Sequence, residues 1–93
     1  MQKENINCII SVRGKVIAVD EYFPGTAARI WLKVDRPIGD NRVRSIAIPI
    51  ACFKKSIYKD LQPLQDVVVQ GHLEPIQAAS SVLAVADKVF PLS

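Results

Sequence analysis

The chain has 93 residues, 49% of them apolar and 23% charged, which is one domain with one core and is far from the composition of disordered chains. Two widely separated cysteines, Cys8 and Cys52, and a single histidine, His72, argue against a disulfide framework or a zinc site. The polar start, Met1 to Asn5, and the lack of any apolar run near the roughly 18 residues of a membrane span point to a cytoplasmic protein without a membrane; the net charge of +3 suits a polyanionic partner.

The first predicted element is a long strand. Ile6, Cys8, Ile10, Val12, Gly14, Val16 and Ala18 alternate with Asn7, Ile9, Ser11, Arg13, Lys15, Ile17 and Val19, and period two over such a length specifies a strand with its even positions inward. Gly14 in its interior allows a sharp bend, as a strand shared between two halves of a barrel requires. Asp20 to Thr26, with Pro24-Gly25, reads as a turn. In the second strand Ile30, Leu32 and Val34 face one way and Arg29, Trp31, Lys33 and Asp35 the other. Pro37, Gly39, Asp40 and Asn41 mark the next turn, and Ile46, Ile48 and Ile50 a third strand, where Pro49 predicts a free edge or a bulge.

From Phe53 the period changes: Phe53, Ile57 and Leu61 recur at helical spacing among Lys54, Lys55, Lys59 and Asp60, which predicts a short amphipathic helix ending before Pro63. Asp66 to Leu73 and Ser81 to Phe90 are the fourth and fifth strands. Three strands, a helix and two strands is the chain order of an all-β, five-stranded OB-fold, a Greek-key barrel with its short helix between strands three and four, here as a single domain over 1–93. An SH3-like barrel has no natural place for that helix, and an α/β fold needs more than one.

Three stretches carry a family resemblance. Ile10-Ser11-Val12-Arg13-Gly14-Lys15-Val16, the basic helix from Phe53-Lys54-Lys55 through Leu61, and Val67-Val68-Val69-Gln70-Gly71-His72-Leu73 resemble the bacterial single-stranded-DNA-binding proteins and the primosomal replication protein N family. The resemblance implies single-stranded DNA binding accessory to replication, recombination or repair, pairing into homodimers or homotetramers, and contacts with replication proteins. The acidic tail of full-length single-stranded-DNA-binding proteins has no counterpart after Leu92-Ser93, so the tail-less primosomal type is the nearer analogue.

Single-strand binding needs cations along the phosphates and flat rings for the bases. Arg29, Trp31 and Lys33 combine both on one strand face, or Trp31 serves a subunit contact. Tyr22 and Phe23 lie where an OB-fold borders its ligand groove; Tyr22 is the stronger candidate, whereas Phe23 has no polar tip and can equally fold back over the barrel. Arg36, Arg42 and Arg44 flank the next turn and, with Arg13 and Lys15, extend the basic field, unless they form an ordinary solvated surface. Lys54, Lys55 and Lys59 read as a solvated helix face. His72 stands alone as a surface or packing residue, and Cys8 has the parity of a buried thiol. No phosphate loop, metal cluster, cofactor motif or catalytic triad is present. Two other readings stay open: a protein-interaction barrel that has lost the nucleic-acid groove, with Trp31, Ile9, Ile17 and Val19 serving a partner, and an RNA-binding barrel.

Overall fold

The computed structural model describes residues 9–76 and 81–92. Ile6, Cys8 and most of the connection between the last two strands lie outside the described residues. The elements are β1 (Ile9–Phe23), β2 (Ala27–Gly39), β3 (Arg42–Cys52), α1 (Lys55–Tyr58), β4 (Asp66–Ile76) and β5 (Ser81–Pro91). The sheet is a closed barrel in the order β1-β2-β3-β5-β4, with β3 and β5 parallel and the other pairs antiparallel. This is the expected five-stranded OB topology with its one helix between β3 and β4.

The length of β1, 15 residues, makes the closure possible. Its first half pairs with β4 and its second half with β2, and Lys15 takes part in both pairings. Gly14 sits at this corner, where a Cβ would stand 2.8 Å from the Lys33 carbonyl oxygen. The glycine therefore serves close passage of β2 across β1.

Inside, Val16, Ile30, Leu32, Ile50, Cys52, Val67 and Val69 are fully buried, and Tyr58 from α1 closes one end of the core. No charged or polar residue is buried among the described residues. These are the alternating apolar positions that the sequence pattern marks, with one correction in β1. A bulge between Val16 and Ala18 inserts one residue and resets the alternation. Ala18, expected inside, is exposed, and Val19, expected outside, packs against the core.

The helix is also shorter than its pattern: one turn, Lys55–Tyr58, preceded by an extended Lys54 (φ −123°, ψ 113°). Phe53 lies before it and is 48% exposed, so the helical stripe is Ile57, Tyr58 and Leu61. The strands, by contrast, run longer than predicted. β1 continues through Tyr22 and Phe23, leaving a turn closed by a bond from the Thr26 N–H to the Phe23 carbonyl (2.9 Å). β2 and β3 remain paired as far as Gly39 and Arg42, well past the last pairing of β2 with β1 at Lys33. Residues 35–47 are all exposed and form a two-stranded arm off the barrel, turned at Asp40-Asn41, with Asn41 in the left-handed region (φ 55°) that asparagine tolerates. Pro37 fits because β2 has only β3 beside it past Lys33, and Pro49 because β3 has only β2 beside it until its bridge from Ala51 to Val85.

Gly71 has the closest backbone approach of the four glycines. A Cβ there would lie 1.8 Å from the Val85 carbonyl oxygen, where β4 and β5 shift register. Gly71→Ala must push two paired strands apart, and overpacking of this kind costs about 1–3 kcal/mol or more. Thermal denaturation is expected to show a large loss of Tm for Gly71→Ala and a smaller one for Gly25→Ser, whose side chain enters open space at the exposed turn and meets only the strain of a positive φ (80°); a loss at Gly25 as large as that at Gly71 would contradict the steric account.

Candidate nucleic-acid interface

Strand alternation sets which side chains leave the barrel. Because Ile30 and Leu32 are fully buried, Arg29, Trp31 and Lys33 between them point outward. Their cross-strand neighbours are small on the β3 side, Ala51, Pro49 and Ala47, and on the β1 side Trp31 stands next to Ala18. The bulge that turns Ala18 outward thus leaves Trp31 flanked by low side chains, with its ring partly exposed.

Tyr22 joins this face from the end of β1. The Arg29 guanidinium carbon lies 5.3 Å from the Tyr22 ring centroid and 5.9 Å from that of Trp31, within cation–π range of both. Phe23 continues the row, its ring 5.5 Å from that of Tyr22 and tilted by 58°. At 62% exposed, Phe23 does not fold back over the barrel; Tyr58 holds that position. Phe23 is thus a further ring on the same rim. Its exposure depends on how the turn is held, which no local pattern encodes.

A hydrogen-bonded anchor holds that turn. Glu21 precedes Tyr22 and points the other way; its Oε2 accepts a hydrogen bond from the Tyr58 hydroxyl (2.6 Å) and one from the Gly25 N–H (2.7 Å). The Tyr58 hydrogen bond, then the Gly25 N–H, hold the Glu21 carboxyl below its usual range, and the Glu21 carboxylate pushes the Tyr58 phenol up to about 12. The Glu21–Tyr58 bond therefore ties the end of β1, beside Tyr22 and Phe23, to the helix.

The cations divide into two groups. Arg13, Lys15 and Lys33 line one open cleft of about 360 Å³ together with Gly14, Asp35 and Asp66. Lys15 is paired with Asp66 at 3.4 Å, and Asp35 accepts a hydrogen bond from Ser45 at 2.7 Å, so this stretch is basic but not uniformly so. Arg36 and Arg44 face each other across the arm, in the inward parity of Leu32 and Val34, and Arg42 sits at the arm's tip opposite Gly39. The arm thus carries Arg36 and Arg44 on the face opposite to Trp31 and Lys33. One continuous surface joins Tyr22, Arg29, Trp31, Lys33, Lys15 and Arg13, and the arm arginines form a second.

His72 is not alone. Its Nδ1 lies 2.6 Å from the Asp87 Oδ2 and its Nε2 2.6 Å from the Glu74 Oε2, and these two carboxylates, Asp87 first, raise its pKa. Through Asp87 it ties β4 to β5. Cys52 is buried, and desolvation pushes its thiol up, the opposite of an activated nucleophile. No cluster of three or more metal-ligating side chains occurs among the described residues, and none of their helices is long and apolar enough to cross a membrane.

Comparison with solved structures places this barrel among known ones. The dimeric N-terminal domain of PriB from Thermoanaerobacter tencongensis superposes with a TM-score of 0.68 at 16% identity, over 94% of this chain and 98% of that one. A small single-stranded-DNA-binding protein from Streptomyces coelicolor gives 0.66 at 18% identity, over 95% and 96%. The second single-stranded-DNA-binding protein of Mycobacterium smegmatis gives 0.58 at 23%, over 90% and 87%. No protein-family model and no curated relative matches the sequence. The shared feature is the OB barrel over nearly the whole chain.

The anchor makes stability pH-dependent in two directions. Glu21, depressed when folded, contributes above its unfolded pKa of about 4.3 and loses that contribution as pH falls through the lowered value. Tyr58, raised when folded, contributes below its unfolded pKa of about 10 and loses it as pH rises toward about 12. Tyr58→Phe is therefore expected to lower Tm most between about pH 5 and 10, with the gap to wild type closing on both sides. Parallel Tm profiles would show that the hydrogen bond does not form.

Proposed function

We propose that this chain binds single-stranded DNA, without catalysis, as an accessory to replication, recombination or repair in the cytoplasm. One observation carries the reading: Tyr22 and Trp31 stand on the outward face of β1 and β2 with Arg29 against both rings and Lys33, Lys15 and Arg13 in line beyond them. Rings of this kind stack bases of any sequence, and the cations follow the phosphates. The likeness of the barrel to PriB and to small single-stranded-DNA-binding proteins supports the same ligand class. Arg36, Arg42 and Arg44, on the other face and the tip of the arm, offer a second set of phosphate contacts to a strand that continues past Lys33.

One barrel offers few rings, so useful affinity calls for several copies on one strand. Exposed apolar side chains away from the proposed groove provide for contact between copies or with replication proteins: Ile9 is 77% exposed, and Phe90 at 44% stands beside Val68 on the outer face of β4 and β5. The same exposed residues favour the second reading, a protein-interaction barrel, and the two readings separate by titration.

Wild-type protein should bind labelled oligo-dT with an affinity that falls steeply with salt. Trp31→Ala should weaken it by about 1–3 kcal/mol, the worth of one stacked base, and Lys33→Gln should reduce the salt slope by about one phosphate contact. Unchanged binding by Trp31→Ala removes the stacking platform from the account. Tighter binding to oligo-U than to oligo-dT assigns the groove to RNA. If no single strand or duplex binds at low salt, the interaction barrel is the correct reading.

A further inference from the structure

We infer that Arg29 gives the stacking groove a base preference, favouring guanine and cytosine over adenine and thymine at the position next to Trp31. The inference rests on the single-strand reading above and deepens it by assigning one residue a reading role within an otherwise sequence-tolerant surface.

The argument starts from how the guanidinium is held. Arg29 lies opposite Asp20 across the β1–β2 ladder, yet no ion pair or side-chain hydrogen bond among the described residues engages it. The rings of Tyr22 and Trp31 hold it instead, at 5.3 and 5.9 Å. The guanidinium is shared with Tyr22 and lies near the outer limit of cation–π range from Trp31, and the indole is itself partly exposed, so it keeps surface for another flat group. Ala18 and Pro49 on either side of Trp31 leave that area approachable.

A base stacked on the indole then lies in the same layer as the guanidinium and presents an edge to it. Contact with the rings engages the face of a guanidinium and leaves its in-plane N–H donors directed outward in a fixed fork. A fork of donors is satisfied by two adjacent acceptors. Guanine provides them at O6 and N7, and an unpaired cytosine provides them at O2 and N3 on its open Watson–Crick edge. Thymine alternates carbonyl oxygens with an N–H, and adenine sets an amino group beside each acceptor next to it, so each offers the fork a single acceptor. A lysine at the same place keeps the charge, but its rotating ammonium cannot make the paired contact.

The test compares oligonucleotides matched in length and charge: oligo-dC against oligo-dT, and repeats of dT-dT-dG against repeats of dT-dT-dA, each titrated by fluorescence anisotropy with wild type and Arg29→Lys. Each pairing holds the base class constant, so stacking area does not account for a difference. Wild type is expected to bind the guanine- and cytosine-bearing strands about fivefold or more tightly than their counterparts, in keeping with a bidentate base contact. In Arg29→Lys both ratios should fall to about one, whatever happens to the overall affinity. Equal wild-type affinities across each pair, with oligo-dT still bound, overturn the base preference and leave the single-strand reading standing. A preference that survives in Arg29→Lys overturns the role of Arg29. Failure of every strand to bind overturns the single-strand reading and this inference with it.

Discussion

Lys15 pairs with Lys33 on one side and with Asp66 on the other, and this two-sided pairing closes the sheet into a barrel. Everything else depends on it. β1 reaches both neighbours because it is 15 residues long and changes partner about Gly14 and Lys15, where β2 passes too close for any Cβ. Once closed, the barrel commits every inward position to one small core and leaves exposed strand edges mainly between β3 and β5 and along the arm. Function is then confined to the outward positions and to the connections between strands.

The outward face of β1 and β2 owes its shape to two local departures from regular strand geometry. The bulge at Ile17 replaces a bulky neighbour of Trp31 with Ala18, and the Glu21–Tyr58 bond fixes the end of β1 so that Tyr22 stands over Arg29. Both are set within the chain itself, one in the β1–β2 ladder and the other between β1 and the helix. A surface set in this way loses little conformational freedom on binding, which favours affinity.

The barrel was legible in the chain because its causes are periodic. Ile30, Leu32, Ile48 and Ile50 alternate cleanly, and the outward set Arg29, Trp31 and Lys33 follows from the same alternation. What escaped depends on contacts distant in sequence. The bulge that exchanges Ala18 and Val19 is set by register against β2, and nothing in Val16-Ile17-Ala18-Val19 distinguishes it from unbroken alternation. The helix reads as longer than one turn because Phe53 happens to fall at helical spacing, while the side chain that plugs the barrel, Tyr58, reads as one aromatic among polar residues. Gly71 lay in a recognised motif, but its tightness comes from Val85 on another strand. His72 reads as solitary because Glu74 and Asp87 meet it only when β4 and β5 pair.

We propose that the strand lies along the outward face of β1 and β2. Photo-crosslinking of the full chain to a single-stranded oligonucleotide carrying 5-iodo-deoxyuridine, followed by mass spectrometry of the linked peptides, tests it most directly. The account predicts crosslinks at Trp31, Tyr22 and Phe23, with none at Phe90. Crosslinks confined to Phe90 and the outer face of β4 and β5, with Tyr22 and Trp31 unlinked, would contradict it.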